Sequence, residues 1–354
     1  MSPTRPQAQT AVAPFPAPAA PAIRRQLAVT LLAFGSLAVA ALVLAPLVGP
    51  EPIRLGRVFD RAIPFARNVD AQIFFIARLP RVLAAALVGC ALATAGVVFQ
   101  ALLRNPLASP DTLGVSAGAA LGAIIAITFN LHLQAGSLTT VPVASFLGAA
   151  GALLVVYGLS TVRRRGLSTN VLLLAGVTLN AFFAALILFV QYLGNFTETF
   201  RTVRWLMGDL DVAGYAPLAA AAPLVLIALV AIAFLPRPLN LLSLGTEAAA
   251  SRGVDVAGAQ RLALFSASLA TGAAVALAGP IGFIGIIVPH LVRLLVGADH
   301  RLVLPASACF GAAFLVACDL VARTAFAPLQ LPVGVITAVL GGPFFLWLLL
   351  RQAW

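Results

Sequence analysis

Apolar residues in this chain gather into long unbroken runs, divided by short polar stretches in which arginine recurs. A run of about 20 apolar residues coiled at 1.5 Å per residue matches the roughly 30 Å hydrocarbon core of a bilayer. Such runs fall at 27–48, 82–103, 113–133, 141–162, 171–193, 216–235, 262–280, 283–297, 302–322 and 332–350, the eighth being short. The pattern predicts an all-α polytopic membrane protein with ten transmembrane helices. Residues 1–24, rich in Pro, Ala and Gln, are predicted to be a disordered tail, because they cannot bury enough apolar surface to fold. Arg24 and Arg25 precede a run too long for a signal-peptide core, so the first segment is read as an uncleaved span. The ten-helix domain then covers 25–354, with 236–261 as its longest inner loop.

Composition removes one broad class. With 61% hydrophobic and 9% charged residues over 354 positions, and a mean hydropathy of +1.04, a water-soluble enzyme is excluded. The net charge of +11 would suggest nucleic acid in a soluble protein, but basic loops flanking apolar helices account for it here, so no nucleic-acid partner is expected. All 22 basic residues are arginine. A phosphate loop of the Walker type needs lysine, so any ATP that drives this chain must be hydrolysed on another subunit.

An even number of spans puts both termini on one side. If that side is the cytoplasm, 13 of the 22 arginines fall inside, the expected direction of bias. The rest are unevenly placed. Arg54, Arg57, Arg61, Arg67, Arg78 and Arg81 crowd the first outer segment, and Arg323 ends the ninth span. Such a concentration on the less positive face predicts an acidic partner there. Asp319 stands one helical turn before Arg323 and is expected to pair with it.

Other features speak to packing or to docking. Gly114, Gly118 and Gly122 recur every four residues, which lets helix backbones approach closely inside a membrane. Cys90, Cys309 and Cys318 are odd in number and lie in separate apolar runs, which suits small buried hydrophobes rather than disulfides or metal ligands. The three histidines lie far apart and no nucleophile–base or metal constellation is present, so neither catalysis nor a cofactor is expected on this chain. In the loop 236–261, Thr246 can cap a short helix, Glu247 suits its first turn and Gly253 can end it; a second short helix would lead from Asp255 into the seventh span. A small capped helix on the inner face is read as a knob for a cytosolic partner. An ion-coupled secondary transporter is the alternative class, although the spans offer almost no carboxylate to carry a coupling proton.

The motifs have a wider resemblance. Arg78-Leu79-Pro80-Arg81, the stretch Arg104-Asn105-Pro106-Leu107-Ala108-Ser109-Pro110, Leu113-Gly114-Val115-Ser116, Leu167-Ser168-Thr169, Ala278-Gly279-Pro280-Ile281-Gly282-Phe283, Pro289-His290 and Leu331-Pro332-Val333-Gly334 occur in order along residues 25–352. Together they resemble the FecCD-like permease family for iron-chelate, haem and cobalamin import. That resemblance implies a type II ABC importer permease fold in a bacterial inner membrane. It further implies a second permease subunit (the same chain or a paralogue), two cytosolic ATPases carrying ATP and Mg, and a periplasmic substrate-binding protein. By the same resemblance Arg78, Arg81 and Arg323 would meet carboxylates of the binding protein. Leu244, Gly245, Glu247, Ala248, Arg252 and Gly253 would belong to the coupling helices, and Leu167, Ser168 and Thr169 to a cytoplasmic gate. Ser109-Pro110-Asp111-Thr112 is more similar to ferric-siderophore members, so a ferric siderophore is the expected cargo, with haem or cobalamin as alternatives.

Overall fold

The computed structural model describes residues 20–131, 139–161, 168–212 and 214–352, whose regular structure is helical. The α-helices are α1 (Ala20–Leu44), α2 (Leu55–Val58), α3 (Val69–Gln72), α4 (Leu79–Leu103), α5 (Val115–Thr128), α6 (Thr140–Thr161), α7 (Thr169–Leu193) and α8 (Phe196–Leu206). They continue with α9 (Ala216–Ala233), α10 (Pro236–Leu242), α11 (Thr246–Ala250), α12 (Val256–Ala278), α13 (Ile284–Val296), α14 (His300–Thr324) and α15 (Val333–Gln352). Among the described residues seven helical segments are long and apolar enough to cross a bilayer, and α5, α13 and α15 are shorter apolar helices. Each predicted span therefore has a helical counterpart, in a multi-pass membrane fold.

Boundaries moved where polar residues cap or extend a helix. Helix α1 begins at Ala20, inside the segment expected to be tail. The second span is a continuous 35-residue stretch from Val69, because α3 runs through a π-helical stretch, Ile73–Arg78, into α4. Widened turns free carbonyls from the usual ladder, and the Tyr215 hydroxyl donates to one of them, on Phe75, at 2.7 Å. The seventh span starts at Val256, where Asp255 accepts from the Gly258 amide at 3.0 Å and winds the polar loop directly into the membrane helix. Helix α8 was not anticipated. Asn195 and Glu198 form a reciprocal capping box at its start, a signal readable in the sequence as Asn-x-x-Glu.

The core is built around α4, in which nearly every residue from Pro80 to Leu103 is buried. Lipid offers no hydrophobic drive for helix association, so close backbone contact must supply the packing energy. Glycine permits it: a Cβ on Gly96 would collide with the carbonyl of Gly285 on α13, and one on Gly89 with that of Gly311 on α14. Of the predicted glycine repeat, Gly118 and Gly122 lie against Gly148 and Ala144 of α6. Gly114 instead occupies the turn before α5 at φ +77°, a conformation that other residues adopt only with strain. Helix α7 lies at the edge, with only Leu172, Ala175, Gly176 and Val190 buried.

Candidate functional site: two polar ends joined by a packed core

At one end three arginines are buried, and two of them, Arg78 and Arg323, tie the loop after α1 to the helices. Arg78 donates to the carbonyls of Pro46 (3.1 Å), Leu47 (3.3 Å) and Glu51, and is itself only 5% exposed. Gly49 leaves room for that guanidinium, since any Cβ there would overlap it. Arg81 binds Asp319 of α14 through Nε at 2.8 Å and Gln330 through Nη1 at 2.8 Å. Arg323 donates to the Ala45 carbonyl at 2.5 Å and stands 3.6 Å from the second oxygen of Asp319. The expected Asp319–Arg323 pair is therefore present, but the closer partner of Asp319 is Arg81, 238 residues away in sequence.

Two guanidiniums, those of Arg81 and Arg323, share one buried carboxylate, and backbone carbonyls satisfy Arg78. A guanidinium presents five donors in a fixed fork, which is why arginine can gather several carbonyls at once. The three residues predicted to dock a partner thus face inward: Arg78 and Arg323 hold the loop 45–51, and Arg81 ties α4 to α14. Arg54, Arg57, Arg61 and Arg67 differ: all four are exposed on the segment that follows, and none forms an ion pair among the described residues. Sequence reasoning missed the carbonyls of 45–51 and Gln330, because backbone acceptors leave no trace in residue type.

At the opposite end, the predicted knob is present in altered form. Thr246 is the first residue of α11 rather than its cap; Gly245 precedes it at φ +119° and no side chain caps the helix. Gly253, at φ +80°, closes it, and the next amide, that of Val254, returns to the Ala249 carbonyl at 3.1 Å. Ala249 is fully buried and anchors the turn, while Leu244, Glu247, Arg252 and Gly253 are exposed and Ala248 is half-buried. The loop is held from behind by α10, whose Leu239 and Leu242 are buried.

A polar lock then joins α10 to α14. The Asn240 amide donates to Asp299 at 2.6 Å, while its oxygen accepts from the His300 backbone amide at 2.9 Å and lies 2.7 Å from His300 Nδ1. Asp299 in turn accepts from the Arg301 amide at 2.9 Å, so it also caps α14. These residues lie far apart in sequence, and only the fold brings them together.

The gate residues Ser168 and Thr169 are half-buried at the start of α7, and Ser168 makes no side-chain cap; Leu167 lies outside the described residues. The turn Pro110–Leu113 presses against α7: the Asn180 side chain donates to the Asp111 carbonyl at 2.7 Å, and Gly176 meets Thr112. Near the same end as the lock, Gln100 donates to the Gly285 carbonyl at 3.0 Å and accepts from Arg293 at 2.5 Å, which fixes α13 on α4. The exposed flank of α7 carries Leu174, Val177, Phe182, Leu188 and Tyr192, and no charge occurs anywhere in this helix. Chemically the arrangement suits force transmission between two polar faces rather than bond-making.

Comparison with known proteins bears on this arrangement. A model described as the FecCD transport family matches residues 37–351. The hemin transport system permease protein HmuU of Yersinia pestis is 44% identical over 78% of this chain and 82% of its own. The cobalamin import system permease protein BtuC of Halobacterium salinarum is 40% identical over 90% of this chain and 94% of its own. A solved structure described as an inward-facing conformation of a metal-chelate type ABC transporter is 31% identical, with a TM-score of 0.78 over 91% of this chain and 98% of that one.

Proposed function

The chain belongs to the FecCD transport family, and from that premise we propose that it is the permease subunit of an ABC importer for a metal tetrapyrrole, haem or a cobalamin. The observation that carries this reading is the near full-length similarity to permeases named for hemin and for cobalamin. A ferric siderophore is the second reading, and it rests on Ser109–Thr112. That segment packs against α7 through Asn180 and Gly176, which gives it a structural duty whatever the cargo.

In this reading the pathway runs along the uncharged exposed flank of α7 and its counterpart in a second permease subunit. An apolar wall with few strong polar contacts lets a bulky chelate leave as readily as it enters. A periplasmic binding protein docks at the arginine-rich end, oriented by complementary charge. The exposed Arg54, Arg57, Arg61 and Arg67 make the first contacts, and Arg78, Arg81 and Arg323 support the platform from beneath. The ATPases grip the opposite end at Leu244, Glu247, Ala248 and Arg252. Closure of the ATPases displaces α10 and α11, and the Asn240–Asp299–His300 lock passes that displacement to α14, which reaches back to Asp319 and Arg323. Ser168 and Thr169 stand at the inner mouth of α7, where the gate would open.

The test is uptake in cells with and without this gene, supplied with labelled haem, labelled cobalamin or labelled ferric siderophore. Loss of haem or cobalamin uptake alone is expected. Loss of siderophore uptake alone would replace the cargo and keep the machine, and unchanged uptake of all three would remove the cargo class altogether.

A further inference from the structure

A crevice between α6, α9 and α12 is lined by none of the residues assigned to the two polar ends or to the proposed pathway. Its main chamber, about 250 Å³, is walled by apolar side chains that include Val143, Phe146, Ala220 and Leu224. Past Phe146 it continues along α6 and α12 into a second apolar chamber of about 220 Å³ that reaches Phe265. At its other end it meets a polar chamber through the shared residues Pro142, Ala276 and Leu277. That chamber holds Arg201, Arg204, Trp205, Asp209 and Asp211.

Geometry and composition both match a lipid. From Leu277 to Phe265 is 12 residues of α12, about 18 Å, against about 15 Å for half the hydrocarbon core. Large apolar side chains beside the crevice are open to the surroundings, as lipid contact requires: Leu147, Leu226 and Ile227 are 64%, 56% and 59% exposed. Trp205 lies at the polar end, and tryptophan is enriched at headgroup depth. The polar end offers two cations and two anions. Exposed Arg204 stands 3.2 Å from half-buried Asp209, which also accepts the Asp211 amide, and 3.9 Å from the exposed Asp211 carboxylate, while Arg201 has no ion pair among the described residues. An exposed pair of this kind opens at little expense, so a phosphate can take the arginines and an ammonium the aspartates.

We propose that this crevice binds a phosphatidylethanolamine, with one acyl chain between α6, α9 and α12 and its zwitterionic headgroup spread over Arg201, Arg204, Asp209 and Asp211. A lipid with a phosphate but no ammonium leaves both carboxylates opposed to its charge. The headgroup chemistry is therefore selective, whereas the bulk bilayer contact of the other helices is not.

The experiment is native mass spectrometry of the full chain, purified in detergent from membranes that contain phosphatidylethanolamine and phosphatidylglycerol. The wild type is expected to carry phosphatidylethanolamine. Ala220→Phe fills a half-buried position on the crevice wall. Each methylene it excludes weakens binding about fourfold, so loss of two gives a drop of roughly tenfold or more. The surface variant Arg201→Glu is expected to reduce the bound lipid about tenfold with an unchanged melting temperature, and it keeps the test sound if Ala220→Phe fails to fold. Four results would each overturn the proposal: no bound lipid, equal retention in both variants, phosphatidylglycerol retained in place of phosphatidylethanolamine, or a disulfide-linked dimer from Leu147→Cys that places a second copy over the crevice.

Discussion

Replacing Arg78 with lysine separates two roles for the same residue. If Arg78 served as a charge offered to a docking partner, Arg78→Lys would keep most of its effect. The structure gives it a different duty, as a fork that gathers the carbonyls of Pro46, Leu47 and Glu51 while 5% exposed. Lysine carries one compact ammonium and cannot span three carbonyls on two sides. Hydrogen bonds to charged groups contribute roughly 1.5–3 kcal/mol each, so loss of two costs about 3 kcal/mol at the lower bound. That loss falls on the opening of the loop 45–58, in which the amides of Val48, Arg57 and Val58 have backbone acceptors. Hydrogen exchange followed by mass spectrometry reads that opening directly. Peptides covering 45–58 should exchange roughly a hundredfold faster in Arg78→Lys, since each 1.4 kcal/mol is a factor of ten. An exposed control, Arg61→Lys, should leave the rate unchanged. Wild-type protection in Arg78→Lys, together with weakened binding-protein docking, would refute the buried-fork assignment and return Arg78 to a direct contact role.

Other perturbations address the remaining parts. Reversing Glu247 to Arg and enlarging Ala248 to Trp changes the exposed face of α11 but spares buried Ala249, so transport-coupled ATP hydrolysis should fall at least tenfold in a folded complex; full coupling would dismiss the knob. Asn240→Ala leaves the His300 amide and ring nitrogen without their acceptor at roughly 1–3 kcal/mol each, so trypsin should cut at the exposed Arg237 and Arg252 more than tenfold faster. Equal cutting would mean that the lock carries no load. Gly96→Val sets a branched side chain against the Gly285 backbone at about 3 kcal/mol or more, so the protein should fail to purify as a monodisperse species. Arg57→Glu combined with Arg61→Glu should weaken binding-protein docking in a salt-dependent way without altering exchange in the loop, and docking insensitive to both would move the contact elsewhere.

Hydropathy runs were enough to place every span, because a bilayer demands a length and a composition that leave few alternatives. They were weaker at boundaries set by single caps, as at Asp255, and silent on α8, an amphipathic helix whose sign is Asn195–Glu198 rather than a run of apolar residues. The charged residues were legible as a set and not as individuals. Arg54 and Arg78 look alike in sequence, yet one is exposed and the other is sealed against three carbonyls, since burial depends on which backbone passes nearby. The same limit applies to Asp319. Helical spacing pointed to Arg323, while the tighter partner, Arg81, belongs to α4 and arrives only through the glycine-mediated approach of α4 to α14.

That dependence has a mechanical consequence. Helix α14 is fixed at one end by Asp299 and His300 on Asn240, and at the other by Asp319 and Arg323 on Arg81 and the Ala45 carbonyl. Its 25 residues span about 37 Å at the α-helical rise, close to the whole membrane thickness. Between those ends Gly311 presses on Gly89 without intervening side chains, so α14 and α4 cannot slide past each other without breaking backbone contact. A displacement entering at α10 must therefore move α14 and α4 together as one body, which carries the arginine-supported loop with it. In such an arrangement the buried charges serve less as stability than as fixed attachment points. Desolvation offsets much of what a buried ion pair gains, but removing one partner leaves an uncompensated charge. The pairing is thus weakly stabilising as a whole and strongly resistant to partial release, the property a rigid link between two polar ends requires.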